Sequence, residues 1–495
     1  MEERSLKFVA DACDAEIRNG AGGLKIKNAG TDSRSAKTGD VFFAIKGEKF
    51  DGHEFLNDVA AKGVAAIVVE RGSEPVWSSA FRRSAAPPEG GTPSLLVVEN
   101  SRAAFGKLAA AYRKDFSPPV IAVGGSNGKT TTKELLASVL RQKFSTLWSE
   151  ASFNNDIGVP ATLLRLAKTH QAAVLEVGTN HPGEIAPLVK MIQPKFGIIT
   201  SIGREHLEFF GDLAGVAEEE GWLAELLPAD GKLVLNGDSE WTEKIAARTK
   251  AHVVRVGFGE KNDWRAGKVR LDKSGVTFQV VAQASCLCVS EKTDRPNELT
   301  GKMPVPLPDF SGEYRINLIG RHQVTNALLA MAMGAELGLS RGEIQRGLTE
   351  CQPPKMRMQF WEANGVRVLD DCYNANADSM RAALETLRDL PLQGRRVAVL
   401  GDMAELGAQS EAAHVEVGKF AAELKIGQLF TVGKMSAVTA KAARDGGLTR
   451  VMEFPDVEAA IRDVKNFLKT GDVVLLKASR SSRLERIAET LKAEK

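Results

Sequence analysis

Cysteine is scarce in this chain, neither sign of charge is in excess, and no apolar run is long. The five cysteines, Cys13, Cys286, Cys288, Cys351 and Cys372, are scattered and odd in number. They give no disulfide framework and fit reduced thiols. Cys286 and Cys288 stand two apart with neither a second pair nor a nearby His, so no structural zinc site is expected there. Lys and Arg total 65 against 63 Asp and Glu, a net charge of +2. That balance removes any broad electrostatic case for a nucleic-acid partner or a membrane surface. No apolar stretch approaches the ~20 residues that cross a bilayer, and Met1–Ser5 lacks the apolar segment of a secretory signal. The expectation is a cytoplasmic protein without membrane insertion. No short-period repeat stands out.

What is present is a globular composition, 43% hydrophobic and 26% charged over 495 residues, too long for one core and sized for two to four domains. Strand-like runs alternate with helical ones, which argues for α/β layers. Three blocks emerge: 1–118, 119–352 and 353–495. The first holds strand-like 39–45 and Ala65–Val69 around a helix-like Glu54–Ala61, then a Ser-, Pro- and Gly-rich loop, Arg82–Pro93, and ends at Ser117-Pro118-Pro119. The second carries strand candidates Val120–Val123, Ala172–Val177, Phe196–Thr200 and Lys232–Asn236 and a helical Gln323–Leu337. Its segment Ser285–Lys302 reads as an inserted surface loop. The third has strand candidates Val366–Asp370, Arg396–Leu400, Gln428–Val432 and Val473–Lys477 with helices Ser379–Leu387 and Asp456–Leu468 between them, a second doubly wound unit.

The strongest motif is Gly124-Gly125-Ser126-Asn127-Gly128-Lys129-Thr130-Thr131, between the strand Val120–Val123 and a helical pattern running to about Lys143. Strand, glycine turn, Lys-Thr and helix in that order make a phosphate-binding loop: glycines let backbone N–H groups curl round phosphate oxygens, and the helix N-terminus adds positive potential. Lys129 reaches the β/γ-phosphates and the Thr130 hydroxyl suits Mg²⁺. The strict spacing asks for glycine at position 123, where this chain has Val123.

Other residues are less specific. Glu176 ends an apolar strand, placing a carboxylate where a metal ion or merely a loop edge would use it. His206, in Gly203-Arg204-Glu205-His206-Leu207-Glu208, is either a satisfied loop histidine or a metal ligand. Asp370 and Asp371 open Asp-Asp-Cys-Tyr-Asn-Ala-Asn and face opposite sides if the strand continues, or form an Asx turn. Asn154-Asn155-Asp156 reads by spacing as a helix cap. Lys477-Ala478-Ser479-Arg480 offers two cations and a hydroxyl to an anion or to solvent.

Together and in this order these segments resemble the Mur ligase family of ATP-dependent amino-acid and peptide ligases. Four stretches carry the likeness: the phosphate loop, Asn154–Pro160, Asp370–Asn376, and Leu400-Gly401-Asp402-Met403-Ala404-Glu405-Leu406-Gly407. Thr31-Asp32-Ser33-Arg34 and the run from Lys46-Gly47-Glu48 to Asp51-Gly52-His53 resemble the family's N-terminal nucleotide-sugar domain. The resemblance implies three domains: a small N-terminal α/β nucleotide-sugar domain, a central P-loop mononucleotide-binding α/β domain and a C-terminal Rossmann-like α/β domain. It implies ATP and Mg²⁺, a UDP-N-acetylmuramoyl-tripeptide acceptor, D-alanyl-D-alanine as the incoming dipeptide, an acyl phosphate between them, and a monomer. By the same resemblance, Gly125, Ser126, Asn127, Gly128, Lys129, Thr130 and Thr131 cradle ATP, with Asn326, Arg357 and Asp371 joining them. Thr130, Glu176 and His206 hold metal. Ser33 and Arg34 lie near uracil or diphosphate, Asn154 and Asn155 line the acceptor channel, and Asn374 and Asn376 seat the dipeptide.

Three positions depart from the family pattern. Where a carbamylated lysine usually supplies a carboxylate to the second metal, this chain has Glu220, in Val216-Ala217-Glu218-Glu219-Glu220-Gly221-Trp222. The expectation is that Glu220 provides that charge directly. Gln323 replaces an asparagine, and Ala377 replaces a proline after Asn-Ala-Asn, which suggests a less rigid loop.

Overall fold

The computed structural model describes residues 1–18, 20–47, 50–75, 92–282 and 309–493. The expected loops at 82–93 and 285–302 lie wholly or almost wholly outside the described residues, as do Cys286 and Cys288. The chain divides into two compact units, one of 1–122, 144–179 and 183–195, the other of 123–143, 180–182 and 196–495.

The first unit contains a five-stranded sheet in the order Glu16–Ile17, Ser94–Val98, Ala66–Glu70, Val41–Phe43, Ala29–Gly30, parallel except at its first pair. Phe42, Leu56, Val59, Ile67 and Val69 build one core beneath it. Helix Ser101–Arg113, capped by the Asn100 side chain on the Ala103 N–H, carries its apolar face inward. Its end is tied to the 144–195 stretch: Tyr112 donates its hydroxyl proton to the Leu166 carbonyl at 2.7 Å and Arg113 Nε donates to the Ile192 carbonyl at 3.0 Å. In the same unit Thr146–Trp148 and Ala172–Glu176 pair in parallel. Every residue of Ala172–Glu176 is buried, as a strand covered on both faces requires.

The second unit contributes strands to two sheets. One runs Gly312–Ile316, Gly275–Ala282, Trp264–Asp272, His252–Gly257, Lys232–Asn236, Phe196–Ile199, with the first two pairings antiparallel and the rest parallel. The antiparallel strands were not foreseen. Trp264–Asp272 and Gly275–Ala282 alternate buried with partly exposed positions and carry a register shift between Gly267 and Arg270. They show no continuous apolar run of the kind that marks a doubly buried strand.

The other sheet runs Gln359–Ala363, Val366–Asp371, Val473–Lys477, Arg396–Gly401, Gln428–Val432, Val451–Phe454, parallel except at the first pair. Period-two alternation distributes its side chains to two cores. Val368, Val397, Val399, Val474 and Leu476 enter one, and Leu369, Ala398, Leu400, Val473 and Leu475 the other. Helices therefore cover both faces, and the carboxyl ends of the central strands carry Asp371, Lys477 and Gly401. That edge is where open α/β sheets place their ligands.

Candidate active site

The phosphate loop follows strand Val120–Gly124 and leads into helix Lys129–Leu140. Gly125 and Gly128 have φ of +104° and +88°, a region that side chains rarely enter. A Cβ on Gly125 would lie 2.7 Å from the Thr200 backbone nitrogen, and one on Gly128 would lie 2.3 Å from Asn326 Oδ1. The loop is thus packed against its support as well as bent. Neighbouring backbone is fixed by side chains: Ser201 Oγ accepts the Asn127 N–H at 2.9 Å and Ser126 Oγ accepts the Gly203 N–H at 2.8 Å.

Lys129 opens the helix with its Nζ 3.1 Å from the Ser126 carbonyl and 3.3 Å from Glu205 Oε2. Both side chains of this ion pair are nearly buried. Sequence reasoning singles out the adjoining His206 and gives Glu205 no role. Its signal was its place in the same loop after a buried strand. Glu220 is fully buried in helix Leu213–Glu225. Its Oε2 accepts the Gly125 N–H at 2.7 Å, and its Oε1 has no hydrogen-bond partner. Burial pushes its carboxyl up to about 7, against the pull of Lys129 and with further push from Glu205. The position expected to hold a metal-binding carboxylate therefore lies directly beneath the phosphate loop. Thr130 and Thr131 are buried on the first turn of the helix.

Asn326, on helix Gln323–Glu336, accepts the Thr132 hydroxyl at 3.3 Å and donates to Gln323 Oε1 at 2.8 Å. Gln323 thereby sets which way the Asn326 amide faces. Asn376 donates to Asn127 Oδ1 at 3.0 Å, bringing the Asn-Ala-Asn segment onto the phosphate loop. Asn376 also caps helix Ala377–Asp389 in a reciprocal box with Ser379. The missing proline at Ala377 costs little order, because this box fixes the helix start.

Two residues further on, Asp378 accepts the Arg204 backbone N–H at 3.0 Å and the Arg204 Nη2 at 2.6 Å, while Glu416 accepts Arg204 Nη1 at 2.6 Å. These two carboxylates raise the guanidinium's affinity for its proton further. His206 stands next in the chain with φ of +49°, and its Nδ1 lies 2.6 Å from Glu405 Oε2. That imidazole holds the Glu405 carboxyl below the usual range.

Asp370 and Asp371 do face opposite ways. Asp370 is buried, and its carboxyl is pushed up by burial. Asp371 accepts the Met358 N–H at 3.0 Å and pairs with Lys477 at 2.5 Å. Lys477, only 2% exposed, also donates to the Asn374 carbonyl at 3.1 Å. Asn374 itself is exposed. The Arg357 guanidinium lies over the Tyr373 ring at 4.1 Å.

His414 shows what the Leu400–Gly407 turn requires. Its Nδ1 donates to the Ser410 carbonyl at 2.7 Å and its Nε2 accepts the Met403 N–H at 3.1 Å, so it must be neutral. Burial holds its pKa below the usual histidine value. A histidine held neutral contributes stability that is present above its unfolded pKa of ~6.5 and is lost as pH falls below it, at up to about 1.4 kcal/mol per pH unit. Hydrogen exchange at the Met403 amide, corrected for its intrinsic pH dependence, is expected to lose protection as pH falls from 7.5 to 5.5. Unchanged protection would show that the Nε2 contact does not hold this turn.

The first unit holds the remaining candidates. Glu176 is buried, its Oε1 accepting from Asn154 Nδ2 at 2.9 Å and its N–H donating to Ser149 Oγ at 3.1 Å. Asn155 Oδ1 accepts the Gly158 N–H at 2.9 Å, which makes it a helix cap. Arg34 pairs with Asp32, whose carboxyl it holds down to about 2. Lys62 Nζ donates to the Ser33 and Arg34 carbonyls at 2.7 and 3.1 Å, fixing the turn.

Comparison with known proteins gives three consecutive family matches. They are "Mur ligase family, catalytic domain" over 25–113, "Mur ligase middle domain" over 123–334 and "Mur ligase, glutamate ligase domain" over 356–480. The chain is 36% identical to the UDP-N-acetylmuramoyl-tripeptide–D-alanyl-D-alanine ligase of Escherichia coli, covering 93% of this chain and 92% of that protein. A crystal structure of MurF from Acinetobacter baumannii superposes with a TM-score of 0.84 at 31% identity over 99% of both chains. MurF ligase from Thermotoga maritima, solved in complex with ADP, gives 0.75 at 26% identity over 94% of this chain and 96% of that one.

Proposed function

Because the chain belongs to the Mur ligase family, we propose that it joins D-alanyl-D-alanine to UDP-N-acetylmuramoyl-tripeptide at the expense of ATP, releasing ADP and phosphate. The observation that carries this reading is the near end-to-end match to a ligase of that activity, 93% of this chain and 92% of the relative. We assign 1–118 to the UDP end of the acceptor, 119–352 to ATP and 353–495 to the dipeptide. The expected setting is the cytoplasm and the expected form a monomer.

The chemistry has to overcome two obstacles. A carboxylate is a poor electrophile, so the ATP γ-phosphoryl group is moved onto the acceptor's terminal carboxylate to supply a leaving group. The dipeptide amine then attacks the acyl carbon and phosphate departs. Two anions meet in the first step, and Lys129, on the first turn of a helix whose N-terminus faces the loop, puts a cation and oriented N–H groups where that charge concentrates. Asn326 orients the nucleotide. Arg357 and Asp371 join the nucleotide from the last domain, and Asn374 and Asn376 seat the dipeptide. Ser33 and Arg34 hold the nucleotide-sugar end and Asn154 and Asn155 the peptide. A closed site excludes the water that would hydrolyse an acyl phosphate.

The residues fit Mg²⁺. Glu220 Oε1 is buried without a hydrogen-bond partner, and the Thr130 hydroxyl is at the loop's end. Among the described residues no three His, Cys, Asp or Glu side chains converge as a ready cage. That suits an ion bound largely through phosphate oxygens and water. By the family resemblance Thr130 and Glu176 would hold one ion and His206 and Glu220 a second, and bound ions would neutralise phosphate charge.

The test is isotopic. With ¹⁸O in the acceptor's terminal carboxylate, released phosphate is expected to carry one labelled oxygen per peptide formed, with acceptors ending in meso-diaminopimelate and in lysine run in parallel. Peptide accumulating with unlabelled phosphate would end the acyl-phosphate reading.

A further inference from the structure

The Leu400–Gly407 stretch lies outside both the phosphate loop and the Asp370–Asn376 segment. In the fold it turns back from strand Arg396–Gly401 and lies along the loop that follows strand Phe196–Ile199. The Glu208 N–H donates to the Glu405 carbonyl at 3.2 Å, and Gln409 Nε2 donates to the Gly211 carbonyl at 3.0 Å. Gly407, at φ +52°, is required by this approach: a Cβ there would lie 3.0 Å from Glu208 Cα.

At the centre of the contact are two residues that side chains rarely permit. His206 has φ of +49° and Glu405 φ of +61°. Non-glycine residues held in this region store strain, and they collect where a side chain must be aimed. What is aimed here is visible. The His206 ring, 12% exposed, brings Nδ1 to 2.6 Å from Glu405 Oε2. Nδ1 is buried and the contact does not have hydrogen-bond alignment; the carboxylate is held close against that nitrogen.

We propose that Glu405 is a positioning residue for His206: its carboxylate holds the proton on Nδ1, which leaves the Nε2 lone pair open to a divalent cation only while the Leu400–Gly407 turn lies against the His206 loop. The proposal rests on reading His206 as a cation ligand. The physical reason is tautomer choice. A neutral imidazole carries one ring proton, and the partner of one nitrogen decides whether the other is a donor or a ligand. A carboxylate accepts but does not donate, so against Nδ1 it selects Nδ1–H and bare Nε2. Because His206 belongs to the middle domain and Glu405 to the last, this makes the ligand competent through docking of the domain that brings the dipeptide.

Nitrogen-15 NMR of the full chain labelled in histidine tests this at alkaline pH, with the His206 signals identified by their loss in His206→Gln. The parent is expected to show the Nδ1–H form. Glu405→Ala is expected to revert to the Nε2–H form that free neutral imidazole prefers. Glu405→Gln, which keeps the size and one acceptor oxygen, is expected to retain Nδ1–H and guards against a misfolded alanine variant. Mn²⁺ titration in the presence of ADP, followed by electron paramagnetic resonance, supplies the second readout: Glu405→Ala is expected to weaken the more labile ion about 10- to 100-fold. An unchanged tautomer in Glu405→Ala overturns the proposal. So does Mn²⁺ binding weakened by His206→Gln but not by Glu405→Ala. Mn²⁺ binding indifferent to both substitutions instead overturns the reading of His206 as a ligand, and the proposal with it.

Discussion

Lys129→Met is expected to lower kcat about a thousandfold, roughly 4 kcal/mol of transition-state stabilisation, with a much smaller loss in ADP binding. The asymmetry follows from the loop's construction. Its backbone is set mainly by Gly125, Gly128 and the Ser201 and Ser126 side-chain hydrogen bonds, to which the ammonium adds one contact on the Ser126 carbonyl at 3.1 Å. The N–H cradle therefore survives. What disappears is the cation that separates an incoming carboxylate from the terminal phosphoryl group. The loss is aggravated by the surroundings, because Lys129 is the counter-charge of Glu205 at 3.3 Å and also draws down the proton affinity of buried Glu220. Without it, Glu205 loses its counter-charge and Glu220 takes up a proton more readily. Phosphate release with both co-substrates, beside calorimetric ADP titration, measures the two effects separately. A methionine variant within tenfold of the parent in kcat would mean that the charge is supplied elsewhere.

Asp371→Ala is expected to cost about 3–5 kcal/mol in the last domain, the usual consequence of stripping one partner from a buried ion pair. Lys477 is 2% exposed and has its ammonium 2.5 Å from Asp371 Oδ2. With the carboxylate gone, only the Asn374 carbonyl at 3.1 Å remains as an acceptor among the contacts described here. The Asn374–Asn376 loop hangs from that same ammonium, so dipeptide affinity should fall with stability. The double variant Asp371→Leu, Lys477→Met tells the two effects apart. Removing both charges should restore most of the stability and little of the activity, since apolar replacement of a buried pair is often nearly neutral. Calorimetry of the single and double variants checks this. Additive losses in the double variant would show that the two groups do not act as a pair.

The phosphate loop was legible because its chemistry is local. Glycines, lysine and threonine at fixed spacing between a strand and a helix are one continuous segment, and the strand and helix formed where that spacing placed them. The doubly wound last domain was legible for a similar reason: strands buried on both faces read as continuous apolar runs. The antiparallel strands Trp264–Asp272, Gly275–Ala282 and Gly312–Ile316 were not, because half-buried strands with a register shift show only a weak alternation. Glu205 and Glu405 were hidden for a different reason. Each is an exposed-looking acid in a loop, and its significance lies in the partner it meets, Lys129 or His206, 76 and 199 positions away in the chain. Asp371 was assigned to the nucleotide by resemblance, and its placement adds a structural duty that no spacing announced.

Sequence alone determined that this protein handles a nucleoside triphosphate, since the groups that do so are contiguous and their backbone conformations are dictated by residue type; the ligase reaction came from the resemblance of four stretches to a known family. Tertiary structure decided which charges meet. Glu220 lies beneath the loop, Arg204 is held between Asp378 and Glu416, and Glu405 faces His206. The physical reason is that Coulombic and hydrogen-bond energies depend on separation in space and on burial. The chain fixes both only once distant segments have packed.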